Sequence, residues 1–189
     1  VDAILKAASK RPEEVRDQAG NFGTRFHDAI AMYLGGMGES LQGRWPRERE
    51  DLWPGFNNFL AWEVQSGLVI RLIEQMVYDL PLGYAGGFDA TGRSMEKRLV
   101  VVDWKSSNRM RGDYPVQVAA YAIALEEMNG EPVNEAWVVR IAKDAPKKPE
   151  DAFEVLKVDG EKMEQARRTW LAALAFYKCL EVGQMRVAG

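Results

Sequence analysis

A chain of 189 residues, 47% of them hydrophobic and six of them Trp, has the material for one compact domain over residues 1–189 with a sizeable core. Its longest apolar runs, Val118–Leu125 and Trp170–Tyr177, fall far short of the ~20 residues that cross a bilayer, and no signal-peptide pattern opens the chain. Cys179 is the only cysteine, which excludes an internal disulfide and points to a reducing, cytoplasmic setting. Net charge is −3, with 28 acidic against 25 basic residues, so any nucleic-acid contact must come from local basic clusters rather than from the total.

In chain order, Arg11-Pro12-Glu13-Glu14 reads as a helix start, with Pro in the first turn and acids at the positive end of the dipole. A second helix is expected from about Thr24, with Phe26, Ile30 and Tyr33 or Leu34 on one stripe and a stop at Gly35-Gly36. Gly35 to Asp51, rich in Gly, Arg and Glu, reads as a long, mobile loop. A helix from about Pro54 to Ser66 follows, its core face carrying Phe56, Phe59, Leu60 and Val64. The pattern then changes to three successive strands, Leu68–Tyr78, Tyr84–Thr91 and Arg98–Lys105, the last apolar enough to be buried on both faces. Pro81-Leu82-Gly83 suits a tight turn between the first two. An Ala-rich helix over Asp113–Met128, strands over Glu135–Ala142 and Ala152–Val158, and a helix over Gly160–Val182 complete the chain. Met163, Ala166, Trp170, Leu174, Tyr177 and Leu180 form one apolar stripe on that last helix, and Cys179 reads as a small core residue. Helices, a β-meander, then helix, strand, strand and helix make an α/β sheet flanked by helices.

The chemistry concentrates between Glu74 and Tyr121. Asp103 and Lys105 sit one residue apart on a strand, so they share a face, at the end of the run Leu99–Val102. Two charges there are costly unless they pair or hold a metal. Antiparallel pairing about Pro81–Gly83 brings Glu74 near Asp89, with the exact register open to a bulge. Glu74, Asp89 and Asp103 would then form a pocket of oxygen ligands suited to Mg²⁺ or Mn²⁺, one ion or two. Lys105 beside it would orient or deprotonate a water and stabilise a phosphodiester transition state. Gln117 and Tyr121, one helical turn apart, face the same way and are placed to orient the site or hold substrate.

Gly86-Gly87-Phe88-Asp89, Val102-Asp103-Trp104-Lys105 and Gln117-Val-Ala-Ala-Tyr121 together resemble the PD-(D/E)XK nuclease superfamily, most closely its RecB-type exonucleases. Gly23-Thr24-Arg25-Phe26-His27 is similar to the Gly-x-x-x-His motif of that subgroup, and Glu74 falls where its members often carry an acid. The resemblance implies a restriction-endonuclease-like core, a mixed β-sheet flanked by helices. It further implies Asp89, Asp103, His27 and the backbone carbonyl of Trp104 as metal ligands, Lys105 as the catalytic lysine, and Glu74, Gln117 and Tyr121 as supporting residues. Four cysteines would be needed for the iron–sulfur cluster that some relatives hold, so the comparison favours members without one. The activity implied is a DNA exonuclease preferring single-stranded ends, in recombination, repair or replication, in a bacterial or phage-encoded protein; a helicase or recombination protein would be a separate partner. The alternatives are a structure-specific endonuclease, a non-catalytic nucleic-acid-binding module on the same fold, or a hydrolase of another phosphate. Candidate DNA contacts are Arg44, Arg47, Arg49, Arg109, Arg111 and Ser106, with Trp45 or Trp53 as possible stacking platforms.

Overall fold

The computed structural model describes residues 22–37 and 47–187, with side chains over 22–36 and 50–180. The expected helix start at Arg11 and the positions of Arg44 and Trp45 lie outside the described residues. The elements are helix α1 (residues 22–32), a 3₁₀ turn over Arg47–Leu52, α2 (Trp53–Ser66), β1 (Val69–Asp79), β2 (Tyr84–Arg93), β3 (Leu99–Lys105), α3 (Tyr114–Asn129), β4 (Glu135–Ile141), β5 (Phe153–Asp159) and α4 (Gly160–Val187). The five strands form one mixed sheet in sequence order, β1-β2-β3-β4-β5. No helix among the described residues is long and apolar enough to cross a membrane.

The chain folds into two compact units: residues 1–65, 105–108 and 141–153 make the first, and residues 66–104, 109–140 and 154–189 the second. The first is built on aromatic packing. Phe26, Ile30, Leu52, Phe56, Phe59 and Trp62 are buried, and the Tyr33 ring meets Phe56 edge-on at 5.5 Å between centroids while its hydroxyl donates to Glu63 at 2.9 Å. Asn58, itself buried, donates to the carbonyls of Ala142 (2.8 Å) and Asp144 (3.0 Å), fastening α2 to the segment after β4. α1 continues as a wide turn over Tyr33–Met37 and stops where Gly36 takes φ 89°, the left-handed conformation that glycine adopts without strain.

The second unit packs α3 and α4 against the sheet, with Val77, Phe88, Val101, Val118, Ala122, Val138, Val158 and Met163 in one continuous core. α3 opens with Pro115 in its first turn and closes at Gly130, whose N–H donates to the Glu126 carbonyl at 2.8 Å. Arg167 of α4 donates to Glu126 at 2.6 and 2.7 Å and to the Val133 carbonyl at 2.8 Å, tying α4 to both ends of the α3–β4 connection. The β1–β2 turn is held by a residue the sequence does not advertise: buried Asp79 accepts from the Leu82 N–H at 2.7 Å.

Several packing expectations are corrected. Val64 is 84% exposed, because the buried stripe of α2 runs through Gly55, Phe56, Phe59 and Trp62, and Val64 falls off it. On α4 the stripe is buried only as far as Leu174; Tyr177 and Leu180 are exposed, although Lys178 between them still donates to the Leu82 carbonyl. Cys179 is likewise exposed rather than a core residue. The expected loop over Gly35–Asp51 contains a 3₁₀ turn at its end, Arg47–Leu52, which places Arg47 and Arg49 on regular structure. Trp53, a candidate stacking platform, is 43% exposed and stacks on Phe56.

Candidate active site

Sheet register brings the acids together in an order that periodicity alone leaves open. The β1–β2 ladder passes from Ile73↔Ala90 to Gln75↔Phe88, so Glu74 and Asp89 stand across from each other. The β2–β3 ladder runs from Arg93↔Leu99 to Ala90↔Val102, which brings it to the residue after Asp89 and the residue before Asp103. At that step a side chain takes over from the backbone: Asp89 Oδ2 accepts from the Trp104 N–H at 2.6 Å. This charge-assisted bond fixes the Asp89 carboxylate to the strand that carries Asp103.

Asp103 is 3% exposed and Trp104 1%, and Lys105, two residues beyond Asp103 at the end of β3, is half-buried. The alternation of a strand gives Asp103 and Lys105 the same face. A buried carboxylate next to a second one across the ladder is expensive as a purely structural feature, since like charges repel and neither is fully hydrated. The cost is offset when a cation is shared between them. With the Trp104 carbonyl, the donor set is all oxygen, as a hard divalent ion prefers, and Mg²⁺ in particular takes one or two carboxylates and leaves its other positions to water and phosphate.

Glu74 does not complete a three-carboxylate pocket. It is exposed, and its backbone has φ 47°, a left-handed conformation costly for a residue with a Cβ, on the edge strand of the sheet. Among the described residues no three of His, Cys, Asp and Glu form a group able to hold an ion. The three-carboxylate pocket expected from the sequence is therefore not assembled among the described residues, and Glu74 lies on the edge strand.

Gln117 and Tyr121 do act together: Gln117 Nε2 donates to the Tyr121 hydroxyl at 2.6 Å. The Tyr121 ring lies directly on β2 at Gly86, where an added Cβ would come within 2.9 Å of ring carbon Cε1. Gly86 is thus the reason α3 can present this pair against the strand that carries Asp89. The same helix and strand, with Trp170 of α4, border an open cavity of roughly 590 Å³ lined by Tyr84, Gly86, Val116, Gln117, Tyr121 and Trp170. Tyr84 meets Trp170 edge-on at 5.1 Å and donates its hydroxyl to the Ala120 carbonyl at 2.8 Å. Burial is the main reason its phenol is pushed up to about 12 from its ordinary value. Sequence reasoning missed Tyr84 and the role of Trp170; the aromatic before Gly86-Gly87 was the available signal.

In the first unit, His27 is half-buried on α1, with Phe26 edge-on at 6.5 Å between ring centroids. Gly23, one turn earlier on the same helix face, approaches Ser106: a Cβ there would lie 3.4 Å from Ser106 Oγ. The Gly23-x-x-x-His27 turn therefore packs beside the residue that follows Lys105. Of the basic candidates, Arg109 and Arg111 are exposed, and Arg111 is bound to Asp113 at 2.9 and 3.0 Å, which blunts its charge.

Among curated proteins no relative matches this chain. Of the solved structures, the one described as "Crystal structure of SSO0001" is similar at 12% identity with a TM-score of 0.35, covering 78% of this chain and 68% of that one. The family model that matches is that of the PD-(D/E)XK nuclease superfamily, over residues 3–181, and the chain belongs to that superfamily.

Proposed function

We propose that the chain is a divalent-metal-dependent deoxyribonuclease of the RecB type, an exonuclease acting on single-stranded DNA ends in recombination, repair or replication. The observation that carries this reading is the 2.6 Å bond from Trp104 N–H to the Asp89 carboxylate, which ties Asp89 to the strand holding buried Asp103, with Lys105 two residues on. Asp89, Asp103 and the Trp104 carbonyl would hold Mg²⁺ or Mn²⁺; His27, which forms no three-ligand group with them among the described residues, is a ligand by the family resemblance alone, and its nitrogen would favour Mn²⁺ over a purely oxygen site. When bound, the ion supplies Lewis acidity and a more acidic bound water.

The protein's own groups do the rest. Lys105 orients the attacking water and offsets the charge that develops on the phosphoryl oxygens. The Asp89–Trp104 bond keeps the two carboxylates in fixed register, so no reorganisation is needed as the reaction proceeds. Gln117 and Tyr121 hold the strand next to the scissile phosphate, and Glu74 at the outer edge adjusts the field or a water. Ser106, Arg109 and Arg111, with Arg44, Arg47 and Arg49, are the proposed backbone contacts, and the binding they provide should weaken steeply with salt. A motor or recombination protein that delivers the end would be a separate chain.

The test compares linear and circular single-stranded DNA at equal nucleotide concentration, with Mg²⁺, with Mn²⁺ and with chelator. Linear strands should be consumed much faster than circles, and chelator should stop both. Duplex ends should lag, because opening costs roughly 1–2 kcal/mol per base-pair step. Equal cutting of circles and linear strands would make the enzyme an endonuclease and retire the single-stranded-end reading.

A further inference from the structure

The cavity between β2, α3 and α4 has a composition that phosphate chemistry does not explain. Three aromatic side chains border it, Tyr84, Tyr121 and Trp170, together with Val116, Ala120 and the Gln117 amide. Its volume, about 590 Å³, is in the range of small-molecule sites. The one acid at its rim, Asp113, is neutralised by Arg111 at 2.9 Å. The Tyr84 hydroxyl is spent on the Ala120 carbonyl, so its ring rather than its polar end is what remains for a ligand. Such a space suits a flat, uncharged, π-rich group with polar edges. It does not suit a phosphate, which would seek cations and N–H donors.

Position adds the second argument. Gly86, in the cavity wall, is three residues before Asp89 on β2, which is about 10 Å at the rise of a strand. A strand whose phosphate sat at Asp89 and Asp103 would have to place its neighbouring nucleotide about that far along β2 to enter the cavity. We propose that this cavity is a nucleobase subsite: one unpaired base next to the scissile phosphate leaves its stack and lies among Tyr84, Tyr121 and Trp170, with Gln117 at its polar edge. This rests on the nuclease reading and names what that site selects. A base in a duplex is paired and stacked and cannot enter, so the cavity supplies a structural reason for single-strand selectivity without reading sequence.

The experiment is equilibrium binding in chelator, at one fixed salt concentration, by anisotropy of fluorescein-labelled oligothymidylate and of an abasic strand of equal length. Wild-type protein should bind the base-bearing strand about ten-fold or more tightly, the range that base–aromatic stacking supplies. Trp170→Ala should bring that preference to within about two-fold while leaving abasic binding unchanged. Val116→Phe, which keeps Trp170 and fills the space, should do the same, and it carries the test if Trp170→Ala does not fold. Equal binding of both strands by the wild type overturns the proposal, as does a preference that survives in either folded variant. The two readings fail separately. A protein that cleaves DNA without base preference loses only the subsite, whereas one that neither binds nor cleaves DNA with Mg²⁺ or Mn²⁺ loses the nuclease reading as well.

Discussion

Gly86→Ala should act as a steric wedge under Tyr121, and its size can be worked from the geometry. The added methyl would stand 2.9 Å from Tyr121 Cε1 and 3.3 Å from Cδ1, while comfortable carbon–carbon contact begins near 3.5 Å. The ring must therefore retreat by about 0.6 Å or more, or β2 must bend away, at the roughly 1–3 kcal/mol typical of overpacking. Moving the ring also strains the 2.6 Å bond from Gln117 Nε2 to the Tyr121 hydroxyl, adding up to about 1 kcal/mol. Gly86 does not have a positive φ, so alanine meets no backbone penalty and the whole loss is assigned to the ring. The control is the same substitution made in Tyr121→Ala. With the ring gone, Gly86→Ala should be neutral or stabilising by about 0.5–1 kcal/mol, because glycine is the poorer residue in a strand. Urea unfolding of the four proteins closes the cycle and gives the coupling directly, and DNA cleavage by Gly86→Ala should fall as the Gln117–Tyr121 pair shifts. If Gly86→Ala costs the same with and without the Tyr121 ring, the contact is not what selects glycine here.

Asp103→Asn and Lys105→Ala should each lower DNA hydrolysis by at least ~100-fold with the fold intact by circular dichroism, and full turnover in either would end the site assignment. His27→Ala should weaken activation by Mn²⁺ more than by Mg²⁺, read as metal-dependence curves for both; equal effects would return His27 to packing beside Phe26. Tyr84 makes a pH prediction: its phenol is raised to about 12, so the folded state holds that proton more tightly than the unfolded chain. Its contribution is complete below the ordinary value near 10 and is lost as pH rises through 12. Absorbance titration near 295 nm should show a late ionising step that Tyr84→Phe removes, and a Tyr84→Phe trace identical to wild type would reject the assignment.

Several features were legible without coordinates because they depend on short-range chemistry. The three-strand meander, the turn at Pro81–Gly83 and the helix carrying Gln117 and Tyr121 follow from period, turn residues and spacing, and each lies within a residue or two of its expected bounds. The β3 run is buried on both faces, as its unbroken apolar pattern demands. The α2 face was misjudged at Val64 because the apolar residues Phe56, Phe59, Leu60, Trp62 and Val64 spread beyond one stripe, and packing of Trp62 chose the buried one.

At the candidate site the sequence by itself determined the inventory: two acids and a lysine on adjacent strands, a Gln and Tyr one turn apart, and a lone His after Gly23. What only the tertiary structure decided is how those groups are shared out. The placement of the Asp89 carboxylate on the Trp104 N–H, next to Asp103, depends on interstrand register. That register is a non-local quantity, because a single unpaired residue or a left-handed one such as Glu74 changes which side chains face each other. The same holds for the aromatic cavity. Tyr84, Tyr121 and Trp170 come from three elements far apart in the chain, and no local pattern records that a glycine on β2 leaves room for a ring on α3.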